Sequence, residues 1–368
     1  MGVSYANSKM KIGLVIYGSI DSLSGGYLYD RMLVDYLRSQ GDDVQIISIP
    51  SKYYYSNFAD NWSRELAEIM NGIDIDLMLQ DELNHPSLFR LNRKLRKTYP
   101  IISIVHHLRS NELHNSVANW IYRKTERMYL NSVDGYIFNS DTTKESVEKL
   151  THSNKPYVVS KPGGDRFNDK VTKKFIETRI ASNDRLNIIF IGNLIPRKQL
   201  MVLIEALYLI DSNLWHLNVV GNMEIDTKYS GIVKERIKFL GMDRNVTFSG
   251  VLSDKDLLEQ LKCSDVLAVP SSWEGFGIVY LEGMAFGLPA IASTEGAAKE
   301  IINHGENGYL IDTGDNETLA SHLRLLIEDR HTLTRMSTNA LDTYANYPTW
   351  QDSGASSRDF LMNILEGN

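Results

Sequence analysis

Ser271–Ser293 reads SSWEGFGIVYLEGMAFGLPAIAS, directly after the apolar run Val266–Val269. A glycine-marked turn, Glu274-Gly275-Phe276-Gly277, opens a helical stretch carrying Glu282. Gly-Leu-Pro then breaks the helix, and Ala290–Ala292 begins a second apolar run. Strand, turn, helix, turn, strand is the repeat of a parallel sheet, because parallel neighbours need a crossover and a helix supplies it.

The same rhythm extends outward. Strands are expected upstream at Asn187–Ile191, Leu217–Val220 and Val246–Ser249. The first half offers Lys11–Tyr17, Val44–Ile49, Asp76–Leu79, Ile101–Val105, Gly135–Phe138 and Tyr157–Ser160, with an amphipathic helix from about Tyr27 to Gln40. Between Ser160 and Ile188 the polar stretch KPGGDRFNDKVTKKFIETRIASNDR interrupts the pattern and reads as a linker. The expected fold is α/β, with two facing Rossmann-like domains and ligands at the strand C-termini. The boundaries fall at 1–175 and 183–348. Beyond the helical Asn316–Tyr344, Pro348 in Tyr347–Trp350 must turn the chain. Phe360, Leu361, Ile364 and Leu365 then share one helical stripe that needs a partner.

Composition narrows the function. At 368 residues, with 43% hydrophobic and 23% charged, the chain suits two soluble globular domains. Its apolar runs are too short to span a bilayer, and MGVSYANSKMK lacks a signal-peptide core, with Ala6 where a myristoylation motif wants Ser or Thr. Cys263, the single cysteine, excludes an internal disulfide, so a cytoplasmic location is expected. Residues 1–175 hold 23 basic and 20 acidic side chains, whereas 176–368 hold 16 and 26. Nucleic acid is therefore disfavoured as a partner, and any phosphate bound by the acidic half must be met by local donors. Asp74-Ile75-Asp76 begins a strand and Asp254-Lys255-Asp256 opens a helix; neither reads as a metal clamp, and no metal or other cofactor is expected.

Residues 187–330 resemble the family-4 retaining glycosyltransferases of the two-Rossmann-domain (GT-B) type. The resemblance rests on IGNLIPRKQ (Ile191–Gln199), LNVVGN (Leu217–Asn222), VTFSGVLS (Val246–Ser253) and above all Ser271–Ser293, where seven residues separate Glu274 from Glu282. It implies an interdomain cleft, a C-terminal helix (351–368) crossing back to the first domain, a nucleotide-sugar donor (UDP-, GDP- or ADP-linked) on the second domain and a hydroxyl-bearing acceptor on the first. It places the transferred sugar at Glu274 and the ribose at Glu282.

The residue types suit that chemistry. Free backbone N–H groups after Glu274 meet an anion, and glycines allow close approach. Arg197 and Lys198 supply charge to a diphosphate, and ionised carboxylates accept from sugar hydroxyls. Donor contacts are expected from Gly25, Gly26, Gly192, Arg197, Lys198, Asn222, Leu252, Glu274, Gly275, Phe276, Gly277, Ile278 and Glu282. His106 is expected beside the donor sugar and, with Arg197, Lys198 and Glu274, completes the expected catalytic set. Asp81, Glu82, His85, His107 and Arg109 are the expected acceptor wall. The basic run Arg90–Lys97 is read as a helix face with possible peripheral contact to an anionic membrane on its inner side. The rival readings are a nucleotide-sugar epimerase or hydrolase on the same fold, and a non-catalytic sugar-nucleotide-binding subunit.

Overall fold

The computed structural model describes residues 9–95, 99–112, 114–167, 169 and 171–367. The chain divides into two compact units, Met1–Gly163 with Pro348–Asn368, and Gly164–Tyr347.

In the first unit, β1 (Lys11–Tyr17), β2 (Asp43–Ile49), β3 (Leu77–Asp81), β4 (Ile101–Val105), β5 (Gly135–Phe138) and β6 (Tyr157–Val159) form a sheet in the order β2-β1-β3-β4-β5-β6. Every pairing in it is parallel. In the second, β7 (Leu186–Ile191), β8 (Trp215–Val220), β9 (Val246–Gly250), β10 (Val266–Ala268), β11 (Ala290–Ser293) and β12 (Gly308–Ile311) run β12-β11-β10-β7-β8-β9, again all parallel. Both sheets are doubly wound, as expected. β3 and β4 are buried along their whole length, which explains unbroken runs such as IISIV where a half-exposed strand would alternate.

Strand order reverses once in each sheet, between β1 and β3 and between β7 and β10. Helices leave opposite faces there, so the loops at the strand C-termini diverge and open a crevice. The loops after β7 and β10 are the ones holding Arg197, Lys198 and Glu274.

Several sequence expectations shift. The supposed linker contains a helix, Lys173–Ser182, which belongs to the second unit. Its buried Arg179 donates to the carbonyls of Phe286 (2.9 Å) and Gly287 (3.1 Å) and faces Asp265 at 3.4 Å. The boundary therefore lies at Gly163, not at 175. β12 was not foreseen, because GYLI is four residues long and lies between polar turns. Of the run Arg90–Lys97, the described residues Arg90–Leu95 form no α-helix: Asn92–Lys94 make a single 3-10 turn, and Arg96 and Lys97 lie outside the described residues.

Thr349 and Asp352 form a reciprocal capping box that starts the last helix, Trp350–Glu366, just past Pro348. Its buried face is Trp350, Ser353, Gly354, Ser357 and Leu361, while Leu365, expected in the stripe, is exposed. Small residues on that face allow close packing on helix Gly25–Ser39. Ser160 donates to the Ser353 carbonyl at 2.7 Å, and Arg358 grips Asp42 through two bonds of 2.8 and 3.0 Å. A Cβ on Gly354 would lie 2.2 Å from the Tyr36 ring. Gly354→Val should therefore destabilise the chain by about 1–3 kcal/mol, the usual range for overpacking. The urea midpoint should fall with an unchanged slope; an unshifted midpoint would show that this contact is not tight.

Candidate functional site

In the second unit the loops after β7 and β10 are laced together. The Arg197 carbonyl accepts from the Ser272 N–H at 2.8 Å, and the Arg197 guanidinium donates to the Trp273 carbonyl at 2.8 Å. Gly221, at φ +146°, lets the β8 loop lie on the β7 loop; a Cβ there would sit 2.0 Å from the Gly192 carbonyl oxygen. Gly192 in turn faces the Lys198 stem; a Cβ there would lie 3.3 Å from Lys198 Cε.

These loops converge on Glu274. Its carboxylate is buried and accepts from Lys198 Nζ and, at 2.6 Å, from Ser271 Oγ, with Arg197 Nη1 at 3.7 Å. Burial alone would raise its pKa, but the two cations prevail and lower it to about 2. Gly296 pairs with the Glu274 backbone, and a Cβ on Gly296 would strike the Glu274 carbonyl oxygen at 2.2 Å. Gly277, at φ +94°, begins helix Ile278–Met284, and a Cβ there would meet the Tyr280 ring at 2.4 Å. Phe276 is buried, so only its backbone is suited to a ligand.

Glu282, also buried, accepts from Arg166 Nη1 at 2.8 Å, and Arg166 Nη2 bonds Asp254. Asp254 thus belongs to an ion-pair bridge, while Asp74 and Asp76 hold Lys11, the former at 2.6 Å through Nζ and the latter at 2.7 Å through its backbone N–H. Asn222 Oδ1 accepts from the Glu224 N–H at 2.8 Å, so its side chain shapes its own loop; Leu252 is half-buried.

The first unit gathers its functional candidates around a polar interior. Gly25 and Gly26 open helix Gly25–Ser39 behind the Ser24 cap, and Arg31 pins the preceding loop by donating to the carbonyls of Ile20 (2.7 Å) and Ser22 (3.2 Å). A Cβ on Gly26 would lie 3.1 Å from His106 Cδ2. His106 Nε2 bonds Asp30 Oδ1 at 3.0 Å. Asp30 escaped the sequence reading, because 76 residues separate it from His106 and it resembles any polar position on an amphipathic helix.

Asp81, Glu82 and His85 do not form an open wall: they are 0%, 1% and 2% exposed. Burial and then the Asp30 charge raise Asp81 to about 8, while burial foremost raises Glu82 to about 7 and lowers His85 to about 4. A neutral His85 fits its bonds, with Nδ1 donating to the Glu82 carbonyl at 3.0 Å and Nε2 accepting from Tyr54 at 2.9 Å. Glu126, unforeseen, joins them and accepts from the Ser110 N–H at 3.0 Å. Arg109, half-buried, lies over the rings of Tyr54 (5.1 Å) and Tyr122 (5.0 Å), and half-buried His107 contacts Glu112 at 3.1 Å.

Asp30, Asp81 and His106 bring ligand atoms within 4.8 Å of one another, as do Glu82, His85 and Glu126. In the second set both His85 nitrogens are engaged, and in the first His106 Nε2 already serves Asp30. We assign no ion to either. Arg90, Arg93 and Lys94 are exposed, with Arg90 5.1 Å from the Trp62 ring centre. Among the described residues no helix is long and apolar enough to cross a membrane.

Lys198→Met should leave Glu274 buried without its closest cation, a change that typically costs about 3–5 kcal/mol. The Glu274 pKa lies below its unfolded value, so its stabilisation is full above pH 4.5 and fades as pH falls towards about 2. The stability gap between wild type and variant in urea should be widest near neutrality and narrow over that window. A gap constant from pH 7 to 3 would contradict the ion pair.

Known proteins resemble this chain in sequence and fold. Residues 172–343 fit the family model for glycosyl transferases, group 1. D-inositol 3-phosphate glycosyltransferase of Corynebacterium glutamicum is 27% identical over 202 residues, 53% of this chain and 46% of the relative. Mannosylfructose-phosphate synthase of Agrobacterium fabrum is 27% identical over 203 residues, 53% and 43% of the two chains. The chain thus spans about half the length of the curated relatives it matches. Among solved structures, sucrose-phosphate synthase of Thermosynechococcus elongatus superposes with a TM-score of 0.81 at 16% identity, covering 98% of this chain and all (100%) of the other. HepE of Anabaena, solved with UDP and glucose, gives 0.75 at 18% identity over 96% and 100%. Residues 172–343 are thus similar to the group 1 glycosyl transferases, and the chain has the α/β fold of GT-B glycosyltransferases.

Proposed function

We propose that the chain is a retaining, family-4-type glycosyltransferase whose second unit binds a nucleotide-diphosphate sugar (UDP-, GDP- or ADP-linked) and which passes the sugar to a hydroxyl acceptor without a metal. The observation that carries this reading is the buried, ionised Glu274 held by Lys198 and Arg197 where strand order reverses. A carboxylate kept ionised in a buried place accepts hydrogen bonds from paired sugar hydroxyls. The two cations beside it sit where a diphosphate would leave, and they oppose the charge that develops as the glycosidic bond breaks. They take the role a divalent ion would otherwise fill, which supports a metal-independent reaction.

The anomeric carbon–phosphate oxygen bond breaks as the acceptor oxygen bonds to the same face, and the acceptor proton passes to the departing phosphate oxygen. Configuration is thereby retained with no covalent enzyme intermediate. Glu282 is assigned to the ribose hydroxyls: one of its oxygens is committed to Arg166, and that bond fixes the direction of the other.

A thermal-shift screen against UDP, GDP and ADP should raise the melting temperature with one nucleotide, because a ligand of the native state stabilises it. Arg197→Ala or Lys198→Ala should cut turnover by about 10²–10³-fold, as when a charge-stabilising donor is lost. Activity should persist in EDTA. Variants within twofold of wild type would remove both cations from the site, and donor consumption at full rate without an acceptor would make the enzyme a hydrolase. Glu282→Gln should weaken nucleotide binding by about 1.5–3 kcal/mol in calorimetry; unchanged affinity would return Glu282 to a structural role.

A further inference from the structure

We infer that Asp30 is a positioning residue: bonded to His106 Nε2, with Asp81 close behind, it fixes the imidazole so that Nδ1 presents an N–H, making His106 a hydrogen-bond donor to a substrate oxygen and not a general base. The inference rests on the reading of the chain as a glycosyltransferase in which His106 touches substrate.

The geometry restrains His106 on every side. Its carbonyl accepts from Asn139 Nδ2 at 2.9 Å and from Thr143 Oγ1 at 3.4 Å. Its ring meets the Tyr29 ring edge-on at 5.3 Å and lies against Gly26, where no side chain intervenes. Nε2 is taken by Asp30, which leaves Nδ1 as the nitrogen for a ligand. Asp30 and Asp81 are wholly buried, and each keeps one carboxylate oxygen, Oδ2, without a hydrogen-bond partner. Two carboxylates that close cannot readily both ionise in a buried place. One imidazolium and one proton on Asp81 bring the trio to neutrality.

The titratable groups facing the ring are Asp30 and Tyr29 from helix Gly25–Ser39, Asp81 from β3 and Glu82 from the turn that follows. Burial by itself would favour the neutral ring, but the acidic groups overcome it and raise the pKa to about 9. A base must give up its proton near the working pH, and this ring holds its proton well above neutrality.

The test uses the full chain labelled with ¹⁵N, with ring signals assigned by comparison with His106→Gln. Wild type should show both ring nitrogens protonated at pH 7.5, titrating near pH 9. In Asp30→Asn the ring should become neutral at pH 7.5. Turnover at that pH should fall on the order of 10²-fold, as for a misplaced group, and recover as the pH drops and the ring regains its proton. Asp30→Glu should restore part of both signals, and it serves as the comparison if Asp30→Asn does not fold. A wild-type ring already neutral at pH 7.5 overturns the inference, as does Asp30→Asn activity that rises with pH. Full activity in Asp30→Asn despite a neutral ring also overturns it. Failure of the underlying reading is separate, because wild type would then transfer no sugar at any pH.

Discussion

A buried carboxylate that stays ionised must have its charge met within a few ångströms, and Glu274 imposes that condition on the second unit. Lys198 and Arg197 can satisfy it only if the loops after β7 and β10 lie side by side, which requires the strand order to reverse between those strands. The neighbouring loops lie just as close, so no side chain fits at Gly221, where the β8 loop meets Gly192, or at Gly296, where the β11 loop meets Glu274. Topology and charge pairing thus meet at one electrostatic requirement.

The first unit faces the same difficulty and resolves it differently. Asp81, Glu82 and Glu126 are buried with few cations nearby, and burial, the largest cause in each, raises all three towards neutrality. Protons take the part that lysine and arginine take in the other unit. Such a polar interior is sensitive to pH near 7, whereas the Glu274 cluster loses its charge only in strong acid.

The legibility of the sequence follows from the range of the forces involved. Strands and Ser271–Ser293 could be read because their signals are local: apolar runs of a few residues, and glycines beside the acid they accommodate. The helix Lys173–Ser182 was hidden because its buried Ile176, Arg179 and Ile180 lie among charged neighbours, and its partners, the Phe286 and Gly287 carbonyls, are over 100 residues away. Distance in sequence likewise concealed Asp30 behind His106, 76 residues away, and Arg166 behind Glu282, 116 away. Acids at strand tips suggested an acceptor wall, but the sequence pattern did not reveal that β3 and β4 are covered on both faces and that Asp81, Glu82 and His85 are buried.

Residues 176–368 carry ten more acidic than basic side chains, yet this half holds the site assigned to a diphosphate. The conflict dissolves once distance is considered, since exposed charges beyond roughly 10 Å are largely screened at ordinary salt. Inside the loops after β7 and β10, Lys198 and Arg197 face Glu274 in a place where screening is weak. On the proposed reading, the surrounding acidity then works as a filter. It disfavours extended polyanions, which sample the whole surface, and leaves a compact diphosphate, which need reach only the local field.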